Sequence, residues 1–324
     1  MRILYSYFFL GLITSLSCCS TDELIDTAGI NFPNRADRLI QITTLSTKPW
    51  LITGGDVLVE VRLKPEIEAD QISYALNGQD VTSSFRDFTP GSKQALLEGL
   101  PIGESELLVY SNGRNYSESL MLTNYPISGP VLSGNHEVPF ICEAGKFKTV
   151  SGETLGQPAD GDCVVQTKVD YVYWSDLDQA YKPWRSTYAV IPPVDLGYIS
   201  KPDGDFIPFI VRVETGVVNR AIYEIAMLHE EVDEQLSPWQ VSQHWNRKLV
   251  FTHGGGCRGG WFRQGTRTGG VMRRELFEQG FAVVSSTFNV FGQNCNDLLA
   301  SETHIMLKER FIERYGVPLY TVAT

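Results

Sequence analysis

The feature that most constrains this chain is a glycine-rich turn that directly follows a short apolar run. Residues 249–251 read Leu-Val-Phe, which is typical of a buried strand, and residues 253–257 read His-Gly-Gly-Gly-Cys. Three successive glycines let a backbone turn sharply and leave no Cβ atom beside its N–H groups. The turn is therefore either an ordinary connection after a buried strand, which is common, or a place where backbone N–H groups come close to a ligand.

We favour the ligand-binding interpretation, because strand, His-Gly-Gly-Gly, loop and helix is the context of an oxyanion hole in α/β-hydrolases. Ester cleavage passes through a tetrahedral intermediate with a negative oxygen, which backbone N–H groups stabilise from close range. The expected role of the loop's histidine is to orient the loop, and His244 and His304 are expected to be packed or surface residues. The predicted oxyanion-hole loop consists of His253, Gly254, Gly255, Gly256 and Cys257.

Composition limits the classes of partner. The 324 residues are enough for two domains, and a hydrophobic content of 43% allows both to bury a core. The net charge of −11 argues against nucleic acid and against an anionic membrane surface as partners. We expect neither a cofactor nor a metal.

The N-terminus is predicted to be an export signal. A basic start, an apolar run from Ile3 to Leu16 and a small-residue end make residues 1–19 a signal peptide, and residues 20–38 a polar linker. Leu16-Ser17-Cys18-Cys19 resembles a bacterial lipobox, so Cys19, or else Cys18, is the candidate lipidated residue. An ordinary secretory signal is the alternative. The expected location is the periplasm, or the outer membrane or cell surface as a lipoprotein anchored through its N-terminal lipid.

Four cysteines remain after such processing, and an even number in an exported protein favours disulfides. Of the three possible connectivities, we prefer those in which each bridge closes a loop within one region. A metal site or a thiol nucleophile is the alternative, but the spacings match no zinc pattern. The preferred pairs are Cys142–Cys163 and Cys257–Cys295.

Residues 39–125 are predicted to be a β-sandwich of the immunoglobulin-like kind. Short alternating segments are separated by turn signals, and the strongest of these is Asn77-Gly78, which predicts a hairpin. Such a domain either binds a carbohydrate or a surface, or packs structurally on its neighbour. We favour the structural role, since no predicted loop collects aromatic residues.

Residues 126–324 are predicted to begin an α/β domain. A hairpin with a turn at Thr215-Gly216 precedes the strand at 249–251. Helices are expected at 268–279 and 296–315, a buried strand at 281–284 and a last strand at 319–322. Alternation of strands with helices predicts a mainly parallel sheet with both faces covered.

The chain from about residue 128 onward resembles the first half of an α/β-hydrolase. A closer resemblance rests on the stretches 77–82, 211–220, 253–257, and 308–310 through 320–321. In these the chain resembles an uncharacterised family of exported bacterial proteins with an immunoglobulin-like N-domain and a tannase-like hydrolase domain. This resemblance implies a serine hydrolase that acts on an ester substrate, without fixing which ester.

The nucleophile elbow of such hydrolases, Gly-x-Ser-x-Gly, does not occur in the sequence. We therefore predict a truncated hydrolase fragment that has the oxyanion-hole loop but no catalytic triad and is inactive alone. A downstream fragment could complement it. A triad built on Ser285 or Ser286 is disfavoured, because neither lies on a glycine-flanked turn. The alternative function is a lipid-anchored cell-surface binding protein that uses the β-sandwich and a degenerate hydrolase domain.

Overall fold

A computed structural model describes residues 38–111, 113, 115–200, 206–229, 236–257 and 262–324. Residues 39–324 form one compact unit. The predicted signal peptide, its Cys19 and all of the predicted linker except Arg38 lie outside the described residues. The predicted domain boundaries at 39–125 and 126–324 stay predictions.

Two sheets that share one apolar core make up the first part of the unit. The strands run in the orders β1-β3-β7-β6 and β2-β9-β8-β4-β5. Val59 and Leu97 from the first sheet and Leu107 and Leu122 from the second are buried in this core. The strands are β1 (Ile40–Thr44), β2 (Ile52–Thr53), β3 (Val57–Leu63), β4 (Ile72–Leu76), β5 (Gln79–Asp80), β6 (Arg86–Thr89), β7 (Ser92–Leu97), β8 (Gly103–Ser111) and β9 (Ser117–Tyr125).

The hairpin predicted at Asn77-Gly78 is confirmed. Strands β4 and β5 pair antiparallel, with Leu76 opposite Gln79, and both turn residues have positive φ, 50° and 78°. A two-residue hairpin turn requires that conformation at both positions, and asparagine followed by glycine adopts it with the least strain.

A seven-stranded sheet dominates the rest, in the order β11-β10-β14-β15-β17-β16-β18, and a two-stranded sheet joins β12 to β13. The bounds are β10 (Lys168–Ser175), β11 (Ala180–Pro183), β12 (Tyr198–Ser200), β13 (Phe206–Pro208), β14 (Ile210–Val218), β15 (Ala221–Leu228), β16 (Lys248–Phe251), β17 (Ala282–Ser286) and β18 (Tyr320–Ala323). The described residues also form two α-helices, α1 (Arg274–Phe277) and α2 (Asp297–Tyr315).

The predicted fold class, a β-sandwich followed by an incomplete α/β-hydrolase domain, is wrong. The described part of the chain is rich in β-strands throughout, and its helices are one short turn and one long helix. Every neighbouring pair from β11 to β17 is antiparallel, and only β16 pairs parallel with its two neighbours. The prediction failed because it inferred parallel strands from the alternation of strands with helices. Most neighbouring strands of this sheet are instead antiparallel.

The predicted helix at 268–279 is reduced to α1. A Cβ atom at Gly269 would lie 2.7 Å from the carbonyl oxygen of Thr252, and Gly270 has a φ of +87°. The segment therefore runs in irregular conformation against the backbone that follows β16, and helical structure starts only at Arg274.

The turn predicted at Thr215-Gly216 is also misplaced. Strand β14 continues to Val218, and the turn is formed by Asn219 and Arg220, with φ of 52° and 61°. Gly216 instead makes room for Tyr223 across the hairpin, since a Cβ there would lie 2.8 Å from the tyrosine oxygen.

Helix α2 agrees with its predicted position, and local signals define both ends. The Asn296 side chain accepts a hydrogen bond from the Leu299 N–H at 3.0 Å, and Gly316 ends the helix with a φ of 101°. Its apolar face packs on β15, β16 and β17, and its opposite side reaches β2 and β3. Among the described residues, neither helix combines the length and apolar character that a membrane crossing requires.

Candidate functional site

The glycine turn directly follows strand β16, which is the second strand from one edge of the seven-stranded sheet. Leu249 and Phe251 are fully buried between β17 and β18. The pairing with β18 extends one step beyond the strand, because the His253 N–H donates to the Thr324 carbonyl at 3.0 Å. The backbone of the predicted loop is therefore held from its first residue.

Gly254 is locked in place on the other side. Its N–H donates to the Asn289 carbonyl at 3.0 Å, and its own carbonyl accepts from the Phe291 N–H at 2.8 Å. A Cβ atom at this position would lie 2.6 Å from Cγ1 of Val290. Only glycine fits here, and its N–H is already used.

Gly255 and Gly256 differ from the two residues before them. Both are exposed, and within the described residues neither N–H donates to a protein acceptor. Gly256 has a φ of +99°, and a Cβ atom there would lie 3.1 Å from the Cα of Gly292. The predicted five-residue loop thus separates into a structural half and a half whose N–H groups are available to a ligand.

The Cys257–Cys295 disulfide closes the turn on its far side, with a Cα–Cα distance of 5.0 Å. The other bridge, Cys142–Cys163, has a Cα–Cα distance of 5.3 Å, and both distances are ordinary for disulfides. The two bridges have the connectivity that we preferred from the sequence. Strand β16 holds the turn at its start, and the Cys257–Cys295 bridge holds it at its end.

The segment after the turn is clamped to the Cys142 loop by contacts that the sequence did not indicate. Arg263, which lies there, donates through Nε to Glu143 at 2.9 Å, and the Gly265 N–H donates to the same carboxylate at 3.1 Å. The Gln264 side chain accepts from the backbone of Glu143 and of Ala144. Hydrogen bonding to Arg263 lowers the pKa of Glu143, so the clamp is ionised at neutral pH.

A cavity of about 340 Å³ lies beside the turn. His253 and Asn289 form one wall, and the face of α2 that carries Asp297, Ser301 and His304 forms another. The side chains at 297, 301 and 304 point the same way because their spacings of four and three are those of one helical face. This cavity is of the size that small-molecule sites have in proteins, about 300–1,000 Å³.

The two histidines of the cavity form a stack with Phe251. The His304 ring lies 3.7 Å from the Phe251 ring, and the His253 ring lies 6.0 Å from His304 and nearly parallel to it. Burial, and secondarily electrostatic interaction with the neighbouring His253 and Lys308, lowers the pKa of His304 to about 4. His304 is therefore a neutral imidazole at neutral pH. It is packed on one face, as expected, and also borders the cavity.

Neither serine that we considered as a nucleophile is accessible. Ser285 and Ser286 are fully buried. The Ser285 hydroxyl donates to the Thr252 carbonyl at 2.7 Å, and the Ser286 hydroxyl donates to the Asn289 side chain at 2.6 Å. Both hydroxyl groups stabilise the backbone around the turn. Ser301 does border the cavity, but no hydrogen bond joins it to His304 in the part of the chain that the structure describes.

Among the described residues, no group of three or more histidine, cysteine, aspartate or glutamate side chains is arranged to hold a metal ion.

The sequence matches the tannase-like family of unknown function over residues 42–324. The chain belongs to this family. The family's name relates it to hydrolases without assigning an activity. No curated protein matches the sequence.

The tannase-like match begins within β1 and continues through the seven-stranded sheet to β18. It therefore includes the glycine turn, its cavity and all four cysteines of the two disulfides. Because the family's function is unknown, the activity of this tannase-like protein must be inferred from the site itself.

Proposed function

We propose that this protein carries the carbonyl-binding part of an exported ester hydrolase, with the N–H groups of Gly255 and Gly256 as the oxyanion donors. The observation that carries the proposal is that, in the part of the chain that the structure describes, these two N–H groups donate to no protein acceptor. The turn that bears them is held by backbone hydrogen bonds at one end and by the Cys257–Cys295 disulfide at the other. Catalytic donors of this kind must be fixed before the reaction, because reorganising them during it would cost free energy.

The chemistry expected of the turn follows from this arrangement. An ester carbonyl oxygen would accept from the two N–H groups, and the same bonds would strengthen as negative charge develops on that oxygen. His253 and Asn289 border the adjacent cavity, which has room for one substituent of the ester. Gly255 has open space where a side chain would stand, so a ligand can approach closely.

We propose further that this chain binds esters without hydrolysing them at an enzymatic rate. Support comes from the burial of Ser285 and Ser286 and from the low basicity of His304, which is a poor proton acceptor for an attacking hydroxyl. An oxyanion hole with no activated nucleophile retains only a small part of the catalytic power of the complete site.

The binding test uses methyl phenylphosphonate, a tetrahedral monoanion that mimics the charged intermediate. Titration of ¹⁵N-labelled protein should shift the amide resonances of Gly255 and Gly256 more than those of other residues. Gly256→Ala should abolish these shifts, because alanine is strained at a φ of +99° and its Cβ would crowd Gly292. Gly78→Ala, at another positive φ but with open space around it, is the matched control.

If the Gly255 and Gly256 resonances stay unmoved, the oxyanion assignment is wrong. Turnover is tested with p-nitrophenyl butyrate, for which the rate should equal that of buffer. Hydrolysis that is lost in Ser301→Ala would show that a serine of this chain acts as a nucleophile and would overturn the non-catalytic proposal.

Two disulfides are typical of extracellular proteins, since thiols stay reduced in the cytosol. We propose in addition that the chain is a lipoprotein anchored through Cys19. Cells fed labelled palmitate should incorporate the label into the wild-type protein and not into Cys19→Ser. Equal labelling of both proteins would indicate that the lipid is attached to another residue, such as Cys18. No labelling of either would favour simple secretion.

A further inference from the structure

A second and larger cavity lies between the first two sheets and helix α2. Its volume is about 560 Å³. One wall is the loop from Thr44 to Leu51, which joins β1 to β2, and the other is a face of α2 that includes Lys308 and Ile312. It shares only His304 and Ile305 with the residues that line the cavity beside the glycine turn.

The lining combines an aliphatic interior with positive charge. Two lysines border the cavity, Lys48 on the loop and Lys308 on α2, and no carboxylate is among the lining residues. Within the described residues, neither lysine forms an ion pair. The four aliphatic side chains are Leu45, Leu51, Ile305 and Ile312.

The charge pattern is unusual for this chain, which has a net charge of −11. An acidic protein surface repels free anions over a distance of about 8 Å at physiological salt. The two lysines that line this aliphatic cavity have no ion-pair partner among the described residues, so they favour an anion there, and an anion with an apolar body gains both contacts at once.

Local hydrogen bonds fix the loop wall before any ligand binds. The Thr44 hydroxyl donates to the Thr47 carbonyl at 2.5 Å, and the Leu51 N–H donates to the Lys48 carbonyl at 2.9 Å. The Ser46 hydroxyl oxygen accepts from the Leu58 N–H at 3.1 Å. A preformed wall loses little conformational entropy on binding, which favours a binding site over a collapsible gap.

We propose that this cavity binds an amphiphilic monocarboxylate, with its hydrocarbon body among the aliphatic side chains and its carboxylate between Lys48 and Lys308. The site is separate from the glycine turn and does not depend on ester hydrolysis. A lysine ammonium suits a single carboxylate, since it acts as a compact point charge with three donors.

The experiment is isothermal calorimetry on the full chain with 4-phenylbutyrate and, as a neutral analogue with the same hydrocarbon body, 4-phenylbutan-1-ol. The acid should bind about tenfold more tightly than the alcohol, as expected for a charge-assisted hydrogen bond at a half-exposed site. Lys308→Gln should remove this difference and leave binding of the alcohol unchanged, and Lys308→Arg should keep it. Ile305→Trp, which fills the cavity, should abolish binding of both.

Two controls locate the effect. Lys148→Gln removes an exposed lysine elsewhere, and Gly256→Ala alters the glycine turn; neither should change the affinity for 4-phenylbutyrate. The proposal is overturned if the acid does not bind, if acid and alcohol bind equally, or if Lys308→Gln leaves the affinity for the acid intact. Loss of binding in Gly256→Ala alone would assign the carboxylate to the glycine turn and would likewise overturn it. Lys308 is partly exposed, so its variants should fold even if Ile305→Trp does not.

Discussion

Helix α2 packs in two chemically different ways on its two sides. Toward the seven-stranded sheet it presents apolar and aromatic residues, of which Phe311 and Leu307 are fully buried against Trp245 and β16. Toward the first sheets and the segment that follows them it presents glutamates. These also are buried, although each carries a group that would be charged in water.

The buried glutamates are tolerated because backbone N–H groups meet most of them. Glu302 accepts from the N–H groups of Val131 and Ser133 at 3.0 and 2.7 Å, and Glu309 accepts from the Thr53 N–H at 2.9 Å. Glu313 is the exception, since one of its carboxyl oxygens has no hydrogen-bond partner among the described residues. The apolar side therefore stabilises the packing by removing apolar surface from water, whereas on the other side burial raises the pKa of Glu309 and of Glu313.

The largest expected effect is on the apolar side. Phe311→Ala should reduce the free energy of unfolding by about 3–5 kcal/mol, because it removes a fully buried ring and leaves a cavity beside Trp245. Urea denaturation measures the change. Leu298→Ala, on the exposed side of the first turn of α2, should change stability by less than about 0.5 kcal/mol. Equal losses in the two variants would contradict the assignment of α2 packing to this side.

The next effect is a pH dependence on the glutamate side. Burial raises the pKa of Glu309 to about 8 from an ordinary 4.5, and burial followed by the Glu309 charge raises the pKa of Glu313. Asp56 also faces this cluster, as do Arg310 and Arg314. Between about pH 5 and 8 the folded chain therefore holds a proton that the unfolded chain has lost, and stability should fall by up to about 1.4 kcal/mol per pH unit.

Denaturant unfolding at pH 5.5, 7 and 8 tests this slope. Glu309→Gln should flatten it, because glutamine keeps the shape and cannot ionise. Glu98→Gln, at an exposed position, should leave the slope unchanged. A wild-type protein that grows more stable toward pH 8, with the same slope in Glu309→Gln, would show that this side of α2 is not held by protonated carboxyls.

A smaller effect is expected at the hydrogen-bond partner of Glu309. The Thr53 hydroxyl donates to its carboxyl oxygen at 2.5 Å, and Thr53→Val removes that donor without changing volume much. The cost should be about 1–2 kcal/mol, since a buried acceptor loses one of its partners. Thr53→Ser keeps the hydroxyl and should recover most of it. Thermal unfolding measures both variants. A loss in Thr53→Val that Thr53→Ser recovers is due to the hydrogen bond, and equal losses in the two are due to altered packing.

The smallest effect is expected outside the packing of α2, where the segment before β16 contacts β6 and β7. The Arg86 guanidinium lies 3.6 Å from the centre of the Trp239 ring, and the Trp239 N–H donates to Gln94 at 3.1 Å. Arg86→Gln should cost about 0.5–1 kcal/mol, the range of exposed cation–π pairs. Arg185→Gln is the exposed control. If both cost the same, net charge rather than this contact is responsible.

Sequence signals that act over a few residues were sufficient to predict one hairpin and the ends of the long helix. Asn77-Gly78 predicted its hairpin, and Asn296 and Gly316 delimited α2, because turn conformation and helix capping depend on neighbouring residues only. The preferred cysteine pairs also occur, since both bridges join segments close in sequence.

Strand direction was not predictable in the same way. No local sequence feature distinguishes the antiparallel pairing of β17 with β15 from a parallel one. Gly216 was predicted to form a turn, but in the structure it makes room for Tyr223. The candidate site shows the same limit. The sequence indicated the glycine turn as a whole, but the use of the Gly254 N–H by Asn289 is a contact that only the folded chain reveals.

The sequence by itself determined the hairpin turn at Asn77-Gly78 and the two ends of the long helix. Each of these follows from backbone freedom or hydrogen bonding within a few residues. The tertiary structure alone decided that the Gly254 N–H is used within the fold, that Ser285 and Ser286 are buried, and that Glu309 is paired with Thr53. Those outcomes depend on which distant segments exclude water from a group, and burial of that kind is a property of the assembled fold.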